Sequence, residues 1–76
     1  MEGMKLRYVN VKRTGEMIDR LRLERGLTVR ELMEMLGMTV QAYYKWARGN
    51  SIPSIVSMIG LADIFGVKVD DIIVAE

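Results

Sequence analysis

The stretch that decides the fold is LTVRELMEMLGMTVQAYYKWARG, residues 27–49. Its first half predicts a short helix beginning after Thr28, because a threonine followed three residues later by Glu31 is the pattern of a capping box. Gly37 stands where that helix should end, on a residue that readily adopts positive φ. Apolar side chains recur between these signals at the spacing of one helical face: Val29, Leu32, Met33 and Leu36.

A second short helix is predicted directly after this glycine. Thr39 is its candidate N-cap, it extends to about Arg48, and Gly49 closes it. Two short helices joined by a glycine-containing turn of about three residues form a helix-turn-helix, here over residues 28–48. Any small helical bundle contains helix pairs, but the cap, the glycine and the spacing together favour DNA binding.

Composition excludes several other classes of protein. The 76 residues include no cysteine and no histidine, which removes disulfides, thiolate zinc sites and imidazole bases. The carboxylates are dispersed, so we expect no enzyme, no catalytic residues, no metal site and no cofactor. No apolar run approaches the roughly 18 residues of a membrane span, and no signal-peptide core is present. We therefore expect a single cytoplasmic domain without membrane contact.

The net charge of +1 conceals a polarised chain. Residues 1–30 carry +4, residues 31–52 carry zero and residues 53–76 carry −3. Such a distribution suits a protein that places one face on a polyanion, although many solvated helical surfaces are equally uneven.

Residues 1–13 differ in kind from the residues that follow. Apolar and polar side chains alternate there, which predicts an extended segment or a short strand. Three readings stay open: an arm along a phosphate backbone, an edge strand pairing with a second protomer, or a frayed terminus. The segment is basic through Lys5, Arg7, Lys12 and Arg13.

The helical domain is predicted over residues 14–76. Its first helix starts at Thr14 and ends at Gly26, with Leu23 away from the apolar face and therefore either exposed or at an interface. A later helix follows Pro53-Ser54 and is apolar enough to pack on more than one side. A last short helix spans residues 69–74, which makes five helices and an all-α fold. The apolar residues of the helix after Ser54 are Ile55, Val56, Met58, Ile59, Leu61, Ala62, Ile64 and Phe65.

Residues 15–74 resemble the Cro/phage-repressor (XRE-type) helix-turn-helix family. The matching stretches include GLT at 26–28, LGMT at 36–39, KW at 45–46, RG at 48–49 and LADIFGV at 61–67. The resemblance implies a five-helix lambda-repressor-like DNA-binding domain. It also implies a small bacterial or phage-type transcriptional regulator, such as a repressor, that binds double-stranded DNA sequence-specifically with helix 39–48 in the major groove.

The resemblance also assigns roles to individual side chains. Gln41 pairs with adenine, and Lys45 reaches guanine or a phosphate. Tyr43 and Trp46 face the other way and anchor the helix in the core. The base-reading positions are Val40, Gln41, Tyr44 and Lys45, and the phosphate-binding positions are Thr28, Arg30, Thr39, Arg48 and Asn50.

Three positions depart from the family pattern. Val29 replaces a glutamine that helps to hold a phosphate, and Met33 is bulkier than the usual small residue. Ala47 replaces an acid that pairs with the arginine of the first helix. We therefore expect Arg22 to make no ion pair with the end of the recognition helix, and to be either solvated or paired locally, for instance with Asp19.

Two functions from different classes follow. The first is a regulator acting as a homodimer, because one short helix reads too few base pairs for specificity. Residues 72–74 are the expected dimer contact, since three consecutive apolar residues cannot all point inward from one helix. The alternative is an antitoxin-like or adaptor domain that grips a protein partner through Leu23, Met35 and the same tail.

Overall fold

The structure, a computed structural model, describes residues 7–76. Five helices follow one another in this part of the chain, which confirms the predicted all-α class. What was predicted for residues 1–6, including the role of Lys5, lies outside the described residues. The helices are α1 (Val11–Glu24), α2 (Val29–Leu36), α3 (Val40–Ala47), α4 (Ile55–Phe65) and α5 (Val69–Ile72).

The capping signals around α2 are confirmed. The Thr28 hydroxyl accepts from the Glu31 amide at 3.0 Å, and the Glu31 carboxylate accepts from the Thr28 amide at 2.9 Å. The hydrogen bonds from Thr28 hold the pKa of Glu31 below its ordinary value. Gly37 ends the helix with φ of 69°. The side chains of Thr28 and Glu31 therefore set the start of α2, and the backbone conformation of Gly37 sets its end.

Helix α1 begins at Val11, three residues before the predicted start at Thr14. The side-chain oxygen of Asn10 accepts from the Arg13 amide at 2.9 Å and caps the helix. Lys12 and Arg13 therefore belong to a helix and not to an extended arm. The alternation of apolar and polar residues concealed this boundary, although asparagine is a strong N-cap signal.

The two ends of the described chain form a terminal clasp, residues 7–10 lying antiparallel to residues 74–76. The amides of Tyr8 and Glu76 each donate to the other's carbonyl at 2.8 Å, and the Asn10 amide donates to the Val74 carbonyl at 2.7 Å. The Val74 amide donates to the buried hydroxyl of Thr14 at 3.0 Å. Residues 7–10 are thus extended, as predicted, but their partner is this chain's own C-terminal segment.

The predicted last helix starts at Val69 as expected, but it ends at Ile72, so its predicted end at Val74 is wrong. Ile73 has φ of −75° and ψ of 121°, an extended conformation that turns the next side chains to new directions. Ile72 is fully buried, Ile73 packs against the core and Val74 is half-buried. The apolar tail is therefore largely absorbed by its own protomer, which removes the reason for predicting it as the dimer contact.

Helix α4 packs on one side only. Met58, Leu61, Ala62 and Phe65 are buried in the core, where α4 contacts α2 and α5. Ile55, Val56 and Ile59 are exposed, contrary to the prediction that α4 packs on more than one side. Helix α4 is as apolar as predicted, but residues 7–76 leave one side of it uncovered. The core consists of Ile18, Leu21, Leu32, Met33, Tyr43, Trp46, Met58, Leu61, Ala62, Phe65 and Ile72.

Helices α1 and α3 meet at a glycine. A Cβ added to Gly15 would lie 2.0 Å from the carbonyl oxygen of Trp46, so the two backbones approach more closely than any side chain permits. This approach fixes where α3 sits on the domain, because α1 and α3 are the most extensively contacting pair of helices.

Candidate nucleic-acid interface

Helix α3 presents one polar face to solvent and buries the other. Gln41, Tyr44, Lys45 and Arg48 are all exposed, at the i, i+3, i+4 and i+7 positions of a single helical face. On the opposite side, the exposed fractions of Tyr43 and Trp46 are 2% and 4%. The prediction that these two aromatic residues anchor α3 is therefore confirmed. Among the predicted base-reading positions, Val40 alone is half-buried and packs against the core.

The predicted phosphate-binding residues fall into two groups. Thr28, Arg30 and Thr39 are exposed at the N-terminal ends of α2 and α3, two helices that contact each other. The hydroxyl of Thr28 is engaged by its capping box, whereas Thr39 makes no capping hydrogen bond with its side chain. Arg48 and Asn50 are exposed directly after α3. The candidate contacts thus flank the polar face of α3 at both ends.

Lys12 lies in the first turn of α1 and not in the extended segment predicted for residues 1–13. A Cβ added to Gly49 would lie 3.0 Å from Cα of Lys12, so the first turn of α1 touches the residue that follows Arg48. Lys12 is exposed and makes no salt bridge within residues 7–76. It therefore adds a cation at the same end of α3 as Arg48. Asn10 is the residue in the sequence from which the helical position of Lys12 could have been predicted, because asparagine is a strong N-cap residue.

Arg22 ties α3 to α1 without the acid that the family usually supplies. Its Nε donates to the hydroxyl of Tyr43 at 3.0 Å, and its Nη1 donates to the Leu27 carbonyl at 2.7 Å. Its Nη2 pairs with the Asp19 carboxylate at 2.9 Å, which confirms the predicted local ion pair. The Tyr43 hydroxyl in turn donates to Asp19. The link to α3 through Tyr43 was not predicted.

This network shifts the pKa of both acids in it. The hydrogen bond from Tyr43, reinforced by Arg22, holds the pKa of the Asp19 carboxyl below its ordinary value. Burial, together with the hydrogen bond to Asp19, raises the pKa of Tyr43 to about 12. Tyr43 is thus a neutral donor, and Asp19 a charged acceptor, across the neutral pH range.

We expect one tyrosine to ionise near pH 12 in an ultraviolet titration of tyrosinate absorbance. The pKa of Tyr43 is raised from 10.0 to about 12 on folding, so its contribution to stability is complete below pH 10 and is lost as the pH rises towards 12. The variant Tyr43→Phe should lack this step, whereas Tyr8→Phe should keep it. An unchanged high-pH step in Tyr43→Phe would contradict the assignment.

A cavity of about 330 Å³ borders this network. Ala47, whose small side chain leaves space, and Val29 both line it. Every buried side-chain nitrogen or oxygen of residues 7–76 has a hydrogen-bond partner, so no buried polar group there lacks one. The cavity is lined by Gly15, Glu16, Asp19, Arg22, Val29, Tyr43, Tyr44 and Ala47.

Residues 7–76 also lack the features of two other kinds of site. No group of three or more acidic side chains in residues 7–76 is arranged to hold a metal ion. No helix within that range is both long enough and apolar enough to cross a bilayer.

Comparison with solved structures shows the same fold in several proteins. The controller protein C.AhdI of a restriction-modification system from Aeromonas hydrophila matches with a TM-score of 0.74 and 21% identity, over 82% of this chain and 94% of that one. A transcriptional regulator from Listeria innocua matches with a TM-score of 0.72 and 27% identity, over 79% of this chain and 56% of that one. The DNA-binding domain of BldD from S. venezulae matches with a TM-score of 0.72 and 21% identity, over 86% of this chain and 97% of that one.

The sequence itself also matches a known family. No curated protein matches the chain. The helix-turn-helix family model, however, matches residues 18–72, which is well over half of the chain and includes both helices of the motif. The resemblance noted in the sequence is thereby confirmed, and the protein belongs to the XRE-type helix-turn-helix family.

Proposed function

We propose that this protein is a DNA-binding transcriptional regulator whose α3 enters the major groove of a specific site. One observation carries the proposal: α3 exposes Gln41, Tyr44, Lys45 and Arg48 on a single face while its other face is locked into the core. A rigid helix with a polar outer face can dock as a unit, without ordering cost at each contact. A restriction-modification controller, a transcriptional regulator and a DNA-binding domain share the fold.

The first turn of α3 is the part that reads the bases. Gln41 carries an acceptor and two donors on one side chain, which match the major-groove edge of adenine. Val40 beside it offers an apolar contact to a thymine methyl group. Lys45, one turn further on, supplies a point charge that reaches guanine or a phosphate with less discrimination. Tyr44 donates to a phosphate or packs along the sugar edge.

The remaining polar residues position α3 on the phosphate backbone. Arg30, with the hydroxyls of Thr28 and Thr39, meets the phosphates at one end of α3. Arg48 and Asn50 meet them at the other end. We add Lys12 to this second group, because the start of α1 touches Gly49. Each lysine or arginine that neutralises a phosphate contributes affinity that is independent of base sequence and sensitive to salt.

We expect Gln41→Ala to relax specificity more than it weakens binding in general. The change should cost about 1–3 kcal/mol on the preferred site, since the bidentate contact with adenine is lost, but little on random duplexes. Lys45→Ala should lose part of its affinity on both kinds of DNA. The measurement compares two binding isotherms for each variant, one on a duplex selected from random sequences and one on unselected duplex DNA. Equal losses on the two for Gln41→Ala would show that α3 is not docked in this way.

Arg48→Ala and Lys12→Ala are expected to act differently from Gln41→Ala. Each should weaken all duplexes alike and reduce the slope of log affinity against log salt by about one unit. Lys68→Ala is the matched control, because Lys68 is an exposed lysine at the start of α5, away from α3. A salt slope reduced equally by all three substitutions would indicate diffuse attraction to DNA and not a defined interface.

The second candidate function is that of an antitoxin-like or adaptor domain, and the exposed side chains of Leu23 and Met35 favour it. Their exposed fractions are 61% and 58%, so both remain accessible to a protein partner. The C-terminal tail no longer belongs to such a surface, since Ile72 is buried. Failure of every duplex to bind at low salt would decide for this candidate.

We also propose that the regulator works as a homodimer in the cytoplasm. An eight-residue α3 reaches too few base pairs to select one site in a genome. Two-fold pairing places two such helices on half-sites about one helical turn apart, which multiplies the selectivity.

A further inference from the structure

Four large aliphatic side chains form an exposed patch that the described chain leaves open. We call it the α4 apolar face, consisting of Ile52, Ile55, Val56 and Ile59. Their exposed fractions are 40%, 67%, 77% and 51%. Ile55 and Ile59 are one turn apart on α4 and Val56 lies beside them, so these three side chains are continuous along the helix, and Ile52 lies in the loop directly before it. Contiguous apolar surface of this kind marks an interaction site more often than an ordinary solvated surface.

Nucleic acid does not fit this face. Residues 49–62 contain no lysine, arginine, aspartate or glutamate. Phosphate contacts depend on cations, and α4 carries none along the patch. The face therefore suits an apolar protein surface, and it lies outside the set of residues proposed to touch DNA.

The apolar C-terminal tail, the other surface predicted for dimer contact, is already packed within the protomer. Ile72 and Ile73 are packed within the protomer, and residues 74–76 pair with residues 7–10 in the terminal clasp. The α4 apolar face has no such cover from residues 7–76. Because the C-terminal tail is not available for a dimer contact, we take the α4 apolar face as the surface that a second copy occupies.

We propose that the α4 apolar face pairs with the same face of a second copy, the two α4 helices running antiparallel about a two-fold axis. A two-fold contact uses one patch twice, and an uncharged aliphatic patch is complementary to itself. This inference takes up the homodimer of the proposed function and assigns its contact surface.

The charges at the ends of α4 favour the antiparallel arrangement. Asp63 is exposed one turn beyond Ile59 on the same side of the helix. Antiparallel pairing brings this carboxylate towards the N-terminal turn of the second copy's α4. That turn contains no acidic residue, and the side chain of Ser54 caps the Ser57 amide alone, so the remaining amides attract a carboxylate. Parallel pairing would instead bring the two aspartates together.

The size of the patch predicts a weak, reversible dimer. A standard protein interface buries about 800 Å² on each partner, more than four aliphatic side chains supply. Dimer should therefore form in the micromolar range and be completed on DNA, where both half-sites hold the two copies together.

Sedimentation of the full chain without DNA tests the inference directly. We expect the 8.7 kDa protein to approach twice that mass as its concentration rises through the micromolar range. Val56→Asp should raise the dissociation constant by about 100-fold, since it places two unpaired charges in the contact. Leu23→Asp is the matched control, because Leu23 is an exposed leucine on α1, outside the α4 apolar face, and this variant should dimerise like the parent. Circular dichroism should show that both variants remain folded.

Cross-linking gives a second readout that does not depend on a charge. Because the chain has no cysteine, Ile59→Cys introduces a single thiol near the proposed axis. Mild oxidation should convert it to a disulfide dimer in high yield, and Leu23→Cys should remain mostly monomeric under the same conditions.

A parent protein that stays monomeric to millimolar concentration, or a Val56→Asp variant that dimerises normally, would overturn the inference. So would equal cross-linking of the two cysteine variants. These outcomes are separate from the fate of the proposed function: a dimer that binds no duplex supports this contact and refutes DNA binding, whereas a monomer that binds single half-sites does the reverse.

Discussion

Replacing Gly15 by alanine should destabilise the protein by about 3 kcal/mol, the upper end of the range for overpacking. In an ordinary helix the same change stabilises, because alanine has the higher helix propensity. Here the added Cβ would stand 2.0 Å from the Trp46 carbonyl oxygen, a backbone atom that cannot rotate away. Helices α1 and α3 must then separate, which opens the core around Ile18 and Tyr43.

The measurement is a thermal or urea melt, and Gly60→Ala is its control. A Cβ at Gly60 would meet only the flexible Cδ2 of Leu36, at 2.8 Å, so this change should alter stability by less than about 1 kcal/mol. Gly15→Ala should lower the melting temperature by roughly 12–24 °C. Similar melts for the two variants would mean that α1 and α3 are not in such close contact.

Replacing Arg22 by methionine should cost about 2–3 kcal/mol, as expected for hydrogen bonds to charged groups. Methionine keeps much of the packing volume but abandons the Asp19 carboxylate, the Leu27 carbonyl and the Tyr43 hydroxyl. The side chain of Arg22 is only 13% exposed, so water replaces few of these bonds. The Asp19 side chain is 42% exposed, which keeps the loss below that of a fully buried pair.

Arg20→Met is the matched comparison, since it removes an arginine from the same helix. The Arg20 side chain is 70% exposed and pairs with Glu24 at 3.1 Å, an arrangement worth less than about 0.5 kcal/mol. A double-mutant cycle of Arg22→Met with Tyr43→Phe should show coupling, because the two side chains share a hydrogen bond and Asp19. Additive losses would show that the network does not act as a unit.

Features that depend on neighbours in the sequence were predictable. The Thr28 capping box and the left-handed Gly37 follow from chemistry within four residues of the helix ends. The pairing of Arg22 with Asp19 follows from their spacing of three on one helix. The division of α3 into a buried and an exposed face follows from helical periodicity, because apolar residues that recur at helical spacing indicate which side of the helix is buried.

Features that depend on distant partners were not predictable from one sequence. The packing of α1 against α3 makes Gly15 necessary, and nothing near Gly15 in the sequence indicates this. Apolar composition shows that α4 avoids water but not which of its sides finds a partner within the chain. The extended continuation after Ile72 depends on pairing with residues 7–10 at the other end of the chain.

The terminal clasp has a consequence for the order in which the chain folds. Its contacts join positions up to 68 residues apart, whereas the contacts within residues 28–48 span a few helical turns. Contacts between distant positions carry the larger loop-closure entropy, so the clasp is expected to close after the helices have docked. Docking of α1 and α5 brings the two ends near each other first, and the remaining entropic cost is then small. The terminal clasp thus forms on a core that is already assembled. It is also the part of the fold that we expect to open most readily in a local fluctuation.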